Sequence, residues 1–181
     1  MPLVLNEDQV QLKDAARAFI QDKAPVTAFR KLRDSKDPDG FDRKLWKEMA
    51  DMGWAGIIIP EEYGGSGFGY VGLGVVLEEA GRTLLASPLI STALIGASTV
   101  LLGGNSIQKK EILPAIATGG WLLALAHEEG PRHAPYNIAV RAKADGGGFI
   151  LSGKKNFVLD GHVADQLIVV ARTSGKRGDR H

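Results

Sequence analysis

Gly119-Gly-Trp-Leu-Leu-Ala-Leu-Ala126 is where this sequence changes its grammar. Before the two glycines, apolar residues recur three and four apart, the spacing of a helix that buries one face. After Trp121 they recur every second residue, the spacing of a strand. Asn137 to Ala144 alternates Ile138, Val140 and Ala142 against Ala139, Arg141 and Lys143. The glycines at 146–148 suit a hairpin turn into Phe149-Ile-Leu-Ser152, and Asn156–Asp160 and Gln166–Ala171 read as two further strands. Helices first and strands afterwards predict an α+β chain of segregated parts. The expected parts are an all-α helical domain over 1–119 and an incomplete antiparallel β-barrel or sandwich over 120–181.

Working back from the boundary, Asn105 with Gln108 offers a capping box, followed by Ile107, Ile112 and Ile116. Gly103-Gly104 stops the preceding helix, which Pro88 opens and which runs on through Leu94 to Leu101. Tyr70 to Leu84 forms a helix closing with Glu78, Glu79 and Arg82. The stretch Trp54–Pro60 is a short apolar segment, and Glu61–Gly67 a turn. Asp42 caps a short helix with Leu45, Met49 and Met52 on one side, and Asp34–Gly40 is a loop. Asn6 with Gln9 starts the first helix, over Leu12, Ala15, Ala16, Phe19 and Ile20, and Pro25 ends it or begins the next.

Composition narrows the chemistry. There is no cysteine, which excludes a disulfide scaffold, a thiol nucleophile and a Cys-ligated metal site. Basic and acidic residues balance at 22 against 21, and the one dense basic cluster, Lys176-Arg177 with Arg180, reads as a solvated tail or loop tip. No nucleic-acid partner is expected. No apolar run approaches the ~20 residues of a membrane span, and Met1–Asn6 has no basic region of the signal-peptide kind. These features predict a soluble, cytoplasmic protein.

Several constellations invite a catalytic reading. Gly67-Phe-Gly-Tyr-Val-Gly72 matches G-x-G-x-x-G, but a dinucleotide site needs a strand immediately before it, and here Pro60 and a loop intervene. Glu128 and Glu129 are adjacent, so on a strand one would point in and the other out. His127, Glu128 and His133 lie on one short stretch containing Gly130-Pro131, which does not make ligand directions converge, so no metal is expected. Ser87, Ser91 and Ser98 fall on helices without a matching His and acid. The residues alone thus predict a helical domain joined to strands, without a self-contained catalytic set.

Read together, however, five segments resemble the acyl-CoA dehydrogenase family. Ile59-Pro-Glu-Glu-Tyr-Gly-Gly65 is similar to that family's P-E-x-Y-G-G turn, and Glu78-Glu-Ala-Gly-Arg82 to its E-E-x-[GA]-[RK] segment. Gln108–Gly119 resembles Q-K-x-x-[YW]-L-P-x-[IL]-x-x-G. Gly153-Lys-Lys-Asn-Phe-Val-Leu-Asp-Gly161, with Ala164-Asp165 and Val170-Ala-Arg-Thr173, resembles G-x-K-x-[WF]-I-T-N-G…A-D…V-A-R-T. Leu125–Ala134 stands where the family has A-[LV]-T-E-P-G-x-G-S-D.

The resemblance implies an FAD-dependent enzyme that introduces a 2,3-double bond into an acyl-CoA. It implies flavin contacts at Ala126, His127 and Glu128 and at Phe157, Val158 and Leu159, with Phe157 covering the ring system, and a substrate contact at His133. An electron-transfer-flavoprotein-like acceptor and a homo- or hetero-oligomer follow from the same likeness. The catalytic base of the family lies in a carboxy-terminal helical bundle, so none is assigned in this chain, which by itself is expected to be inactive. Departures accompany the match. His127 stands for Thr, Glu129 for Pro, Arg132 for Gly, and His133-Ala134 for Ser-Asp. Leu159 replaces a Thr whose hydroxyl would reach the flavin N5, forfeiting a bond of ~0.5–1.5 kcal/mol. The variant A-H-x-E resembles a branch with pimeloyl-CoA and steroid side-chain dehydrogenases, whose members often pair two unlike subunits. A non-catalytic partner subunit, or a flavin oxidase or monooxygenase on the same fold, are the alternative functions.

Overall fold

The computed structural model describes residues 4–179; Arg180 of the basic cluster and the first three residues lie outside them. The first helix, α1 (Glu7–Lys23), is opened by the expected capping box. Asn6 accepts from the Gln9 amide at 2.8 Å, and the Gln9 side chain accepts from the Asn6 amide at 3.1 Å. Pro25 is the cap of α2 (Val26–Ser35), whose last turn takes in Asp34 and Ser35. Those two residues are therefore helical, and the loop begins at Lys36, which turns the chain in the left-handed region. Asp42 caps α3 (Arg43–Asp51) by accepting from the amides of Lys44 and Leu45. The face of α3 that is buried is Trp46 and Met49, while Met52 lies beyond the helix and is exposed.

Trp54–Pro60 is a buried run of turns, with Ile57, Ile58 and Ile59 in the core. A 3-10 turn, Glu61–Tyr63, leads to α4 (Gly69–Arg82). Helix α1 packs on α4, and an ion-pair network ties them. Arg17 donates twice to the buried Glu79, at 3.0 and 3.1 Å, and Arg82 reaches the same carboxylate at 3.1 Å. These bonds hold the Glu79 carboxyl below the usual range, Arg17 contributing most.

After Pro88 the chain winds as a π-helical segment, Leu89–Gly96, before tightening into α5 (Ala97–Gly103). Helical periodicity marks this stretch in the sequence, but the wider winding has no signature there. Ser87 lies before it in the connecting link, not on a helix. A second capping box, Asn105 with Gln108, opens α6 (Ser106–Ala117).

Four strands follow among the described residues: β1 (Leu123–Ala126), β2 (Arg141–Asp145), β3 (Gly148–Ser152) and β4 (Gln166–Val169). β2 and β3 form the expected antiparallel hairpin, pairing Arg141 with Ser152 and Asp145 with Gly148. β1 pairs with β4 in parallel, Leu123 against Gln166 and Ala126 against Val169, which the long connection through the hairpin permits. The barrel is therefore open, as an incomplete sheet must be. Asn156–Asp160 is not a strand. Phe157 (φ 53°) and Asp160 (φ 54°) sit in the left-handed region, which breaks any ladder there.

One core serves both parts. Leu122, Leu123 and Val163 pack in the same cluster as Ile20, Trp54, Leu73, Leu89 and Ile116. Thr92, on the π-helical segment, donates to the Leu123 carbonyl (3.1 Å) and accepts from its amide (3.0 Å), so β1 is stitched to the helical part at its first residue. Among the described residues no helix is long and apolar enough to cross a membrane.

Candidate functional site

Where β1 ends, the chain enters a loop, residues 127–140, whose course is set by a buried ion pair. The Lys155 ammonium donates to the Glu129 carboxylate at 2.8 Å, and the two side chains are 8% and 7% exposed. The same carboxylate accepts from the amides of Ala139 (2.6 Å) and Val140 (3.0 Å), which closes the loop on itself. Burial alone would push this carboxyl up. Donation from Lys155 and the amides of Val140 and Ala139 outweighs it, lowering the pKa to about 2.

The segment 155–156 holds the strand end a second time, through the backbone. Lys155 donates to the His127 carbonyl (2.9 Å), the Asn156 amide to the Glu128 carbonyl (2.8 Å), and the Asn156 side chain to the Glu129 carbonyl (2.8 Å). Residues 127–129 are thereby clamped beside the start of the 157–161 turn. That turn is closed by the Gly161 amide on the Val158 carbonyl and the Val163 amide on the Asp160 carbonyl, both at 3.1 Å. It presents Phe157 to solvent, 80% exposed, with Leu159 also exposed and Val158 half-buried.

The residues singled out in the sequence fall into two groups. Ala126 is buried at the end of β1, and His127 and Glu128 follow it directly, next to the turn bearing Phe157, Val158 and Leu159. His133 lies further along the loop, mostly exposed, and folds back onto His127 and Glu128. Its Nδ1 meets the Glu128 carboxylate at 2.5 Å, and its ring lies edge-on to that of His127 at 5.9 Å. The His133 contact holds the Glu128 carboxyl below its ordinary range. His127, Glu128, Gly130, Pro131, Arg132 and Arg177 line a cleft of about 310 Å³ on this side. A larger cavity, about 520 Å³, lies away from this site between α2, α3 and the link at Thr83–Ala86.

Of the adjacent glutamates one side chain is buried and the other more exposed, although both lie in the loop beyond β1, where strand alternation does not apply. The buried one is Glu129, at the position of the glutamate in A-H-x-E, one residue beyond the glutamate of the registered loop motif. Residue reasoning passed over Glu129, Asn156 and Ser91 as builders of the site. For Glu129 the signal was present in Lys155, since a lysine buried by its motif needs a counter-ion. For Ser91 no signal exists, because its acidic partner lies 69 residues away.

The family profile described as acyl-CoA dehydrogenase, N-terminal domain, matches residues 6–120. The chain belongs to the acyl-CoA dehydrogenase family. It is 32% identical over 185 residues to the mitochondrial isovaleryl-CoA dehydrogenase of Arabidopsis thaliana, covering 98% of this chain and 44% of that protein. Among solved structures it resembles a variant of the steroid ACAD Tcur3481-Tcur3483, with a TM-score of 0.82 and 32% identity over 92% of this chain and 45% of that one. It also resembles the ChsE4-ChsE5 complex from Mycobacterium tuberculosis, with a TM-score of 0.80 and 26% identity over 96% of this chain and 46% of the other. The chain thus spans less than half the length of each of these proteins, and both the α+β architecture and the open sheet accord with the acyl-CoA dehydrogenase fold.

Proposed function

We propose that this chain forms the FAD-presenting part of an acyl-CoA dehydrogenase, an oxidoreductase that introduces a 2,3-double bond into an acyl-CoA. The observation that carries the reading is Phe157. A large aromatic held outward, in a conformation that costs a non-glycine residue energy, has no internal packing to account for it. A flat ring laid against Phe157, with its polar edge toward the clamped backbone of 126–128, would give that exposure a purpose, so the residues present fit the group. When bound, FAD supplies the acceptor for the hydride leaving the β-carbon of the thioester.

In this reading the chain's own residues bind and orient. Phe157 and Leu159 cover the ring system and exclude water from one side. Ala126, His127 and Glu128 offer backbone groups whose positions Lys155 and Asn156 hold before any ligand arrives, which favours charge developing on the flavin edge. His133, tied to Glu128, which lines the cleft, is the proposed substrate contact. Leu159 brings no hydroxyl to N5. Glu129 cannot serve as base for the α-proton, because Lys155 and two amides already occupy its carboxylate. Division into a helical domain (1–119) and part of a β-domain (120–181), an electron-transfer-flavoprotein-like acceptor and assembly with further subunits complete the proposal.

A second reading is a partner subunit that completes another subunit's site. The likeness to a complex with two named components favours it, as do the departures at His127 and Leu159. One experiment separates the two. The protein expressed from its complete reading frame is purified, and its visible spectrum recorded with and without added FAD. Flavin bands that bleach on addition of an acyl-CoA support the dehydrogenase. A protein that stays colourless with excess FAD overturns it and favours the partner subunit.

A further inference from the structure

Ser91 is 1% exposed and sits on the π-helical segment, in the helical part of the chain. Its hydroxyl lies 2.5 Å from the carboxylate of Asp160, the length of a hydrogen bond to a charged acceptor. The other contact of that hydroxyl, to the Pro88 carbonyl, is 3.3 Å long, so its single proton goes to Asp160. Asp160 is the last residue before Gly161 in the turn that presents Phe157, and both it and Phe157 are non-glycine residues in the left-handed region. Two such residues within four persist only where the surroundings hold them.

The hold comes from two sides. Asn156 and Lys155 fix the beginning of the turn to the loop that follows β1, and Ser91 fixes its end to the helical part. The winding of the segment matters here. A π-helix has more residues per turn than an α-helix, so neighbouring side chains diverge less around the axis. Ser91 and Thr92 both reach the β side, Thr92 on Leu123 and Ser91 on Asp160. A π-helical turn in a helical protein commonly marks a functional position.

We propose that Ser91 is a positioning residue for the flavin-facing turn, acting through Asp160 to fix where Phe157 and Leu159 stand. This inference rests on the FAD reading above. It makes the π-helical segment the means by which the helical part sets the cofactor's cover.

The test uses the protein of the complete reading frame as wild type and as Ser91→Ala, Ser91→Thr and Asp160→Asn. Amide hydrogen exchange is followed at Gly161 and Val163, whose N–H groups close the turn, and the Kd for FAD is measured by fluorescence quenching. Losing one hydrogen bond to a charged acceptor should raise exchange at both amides and weaken FAD about tenfold in Ser91→Ala. The slowest-exchanging amides of α4 should keep their rates. Ser91→Thr should restore both quantities, and Asp160→Asn, which keeps an acceptor but no charge, should fall between. Should Ser91→Ala not fold, Asp160→Asn carries the same comparison. A wild type that binds FAD, with variants equal to it in exchange and affinity, would sink this proposal alone. A wild type that takes up no FAD would sink the cofactor reading and this proposal with it.

Discussion

At Glu129 a carboxylate and an ammonium are buried together, and the sign of the linkage follows from the direction of the shift. Unfolded, this carboxyl titrates near 4.5; folded, it is held at about 2. Its contribution to stability is therefore full above about pH 4.5 and is lost as pH falls through about 2, a difference on the order of 3 kcal/mol. Glu129→Gln should remove that acid limb and destabilise the fold by about 3–5 kcal/mol, since it leaves Lys155 buried without its counter-ion. Urea midpoints measured from pH 2 to 7 decide this, and parallel curves for the two proteins would count against it. Phe157 gives the opposite pattern. With its ring in solvent, Phe157→Ala should change stability by less than about 0.5 kcal/mol, while FAD affinity falls at least about tenfold. Equal affinity would remove the observation on which the functional proposal stands.

Among the elements, the caps were legible and the winding was not. Asn6 with Gln9 and Asn105 with Gln108 are local signals, three residues apart, and both boxes formed as read. Asn105→Ala should cost about 1 kcal/mol, visible as a lower thermal midpoint, because one amide of α6 loses its acceptor. The π-helical segment depends on what its side chains find across the core. Gly96, at its end, has no room for a side chain: an added Cβ would meet the Leu123 Cβ at 2.8 Å. Gly96→Ala should thus push β1 off the helical part and cost about 1–3 kcal/mol in urea unfolding. An unchanged midpoint would mean that β1 yields at no expense. Asn156–Asp160 misled for the complementary reason. Its residues favour a strand, but tertiary bonds from Ser91 and to residues 128–129 hold it as a turn.

On the scale of the whole chain, the open sheet leaves apolar surface uncovered. Phe149, Ile150, Leu151 and Leu167 are each about half exposed or more. The 181-residue chain alone should therefore associate at tens of micromolar, and a clean monomer in sedimentation velocity would contradict this. Local spacing carried the helix-then-strand order, the caps, the hairpin at 146–148 and the family motifs, because each depends on residues close along the chain. The inward choice of Glu129 over Glu128, the parallel pairing of β1 with β4, the turn at Phe157 and the Ser91–Asp160 bond came from folding. Each joins groups far apart in sequence, and one-dimensional periodicity holds no information about which distant partner will arrive.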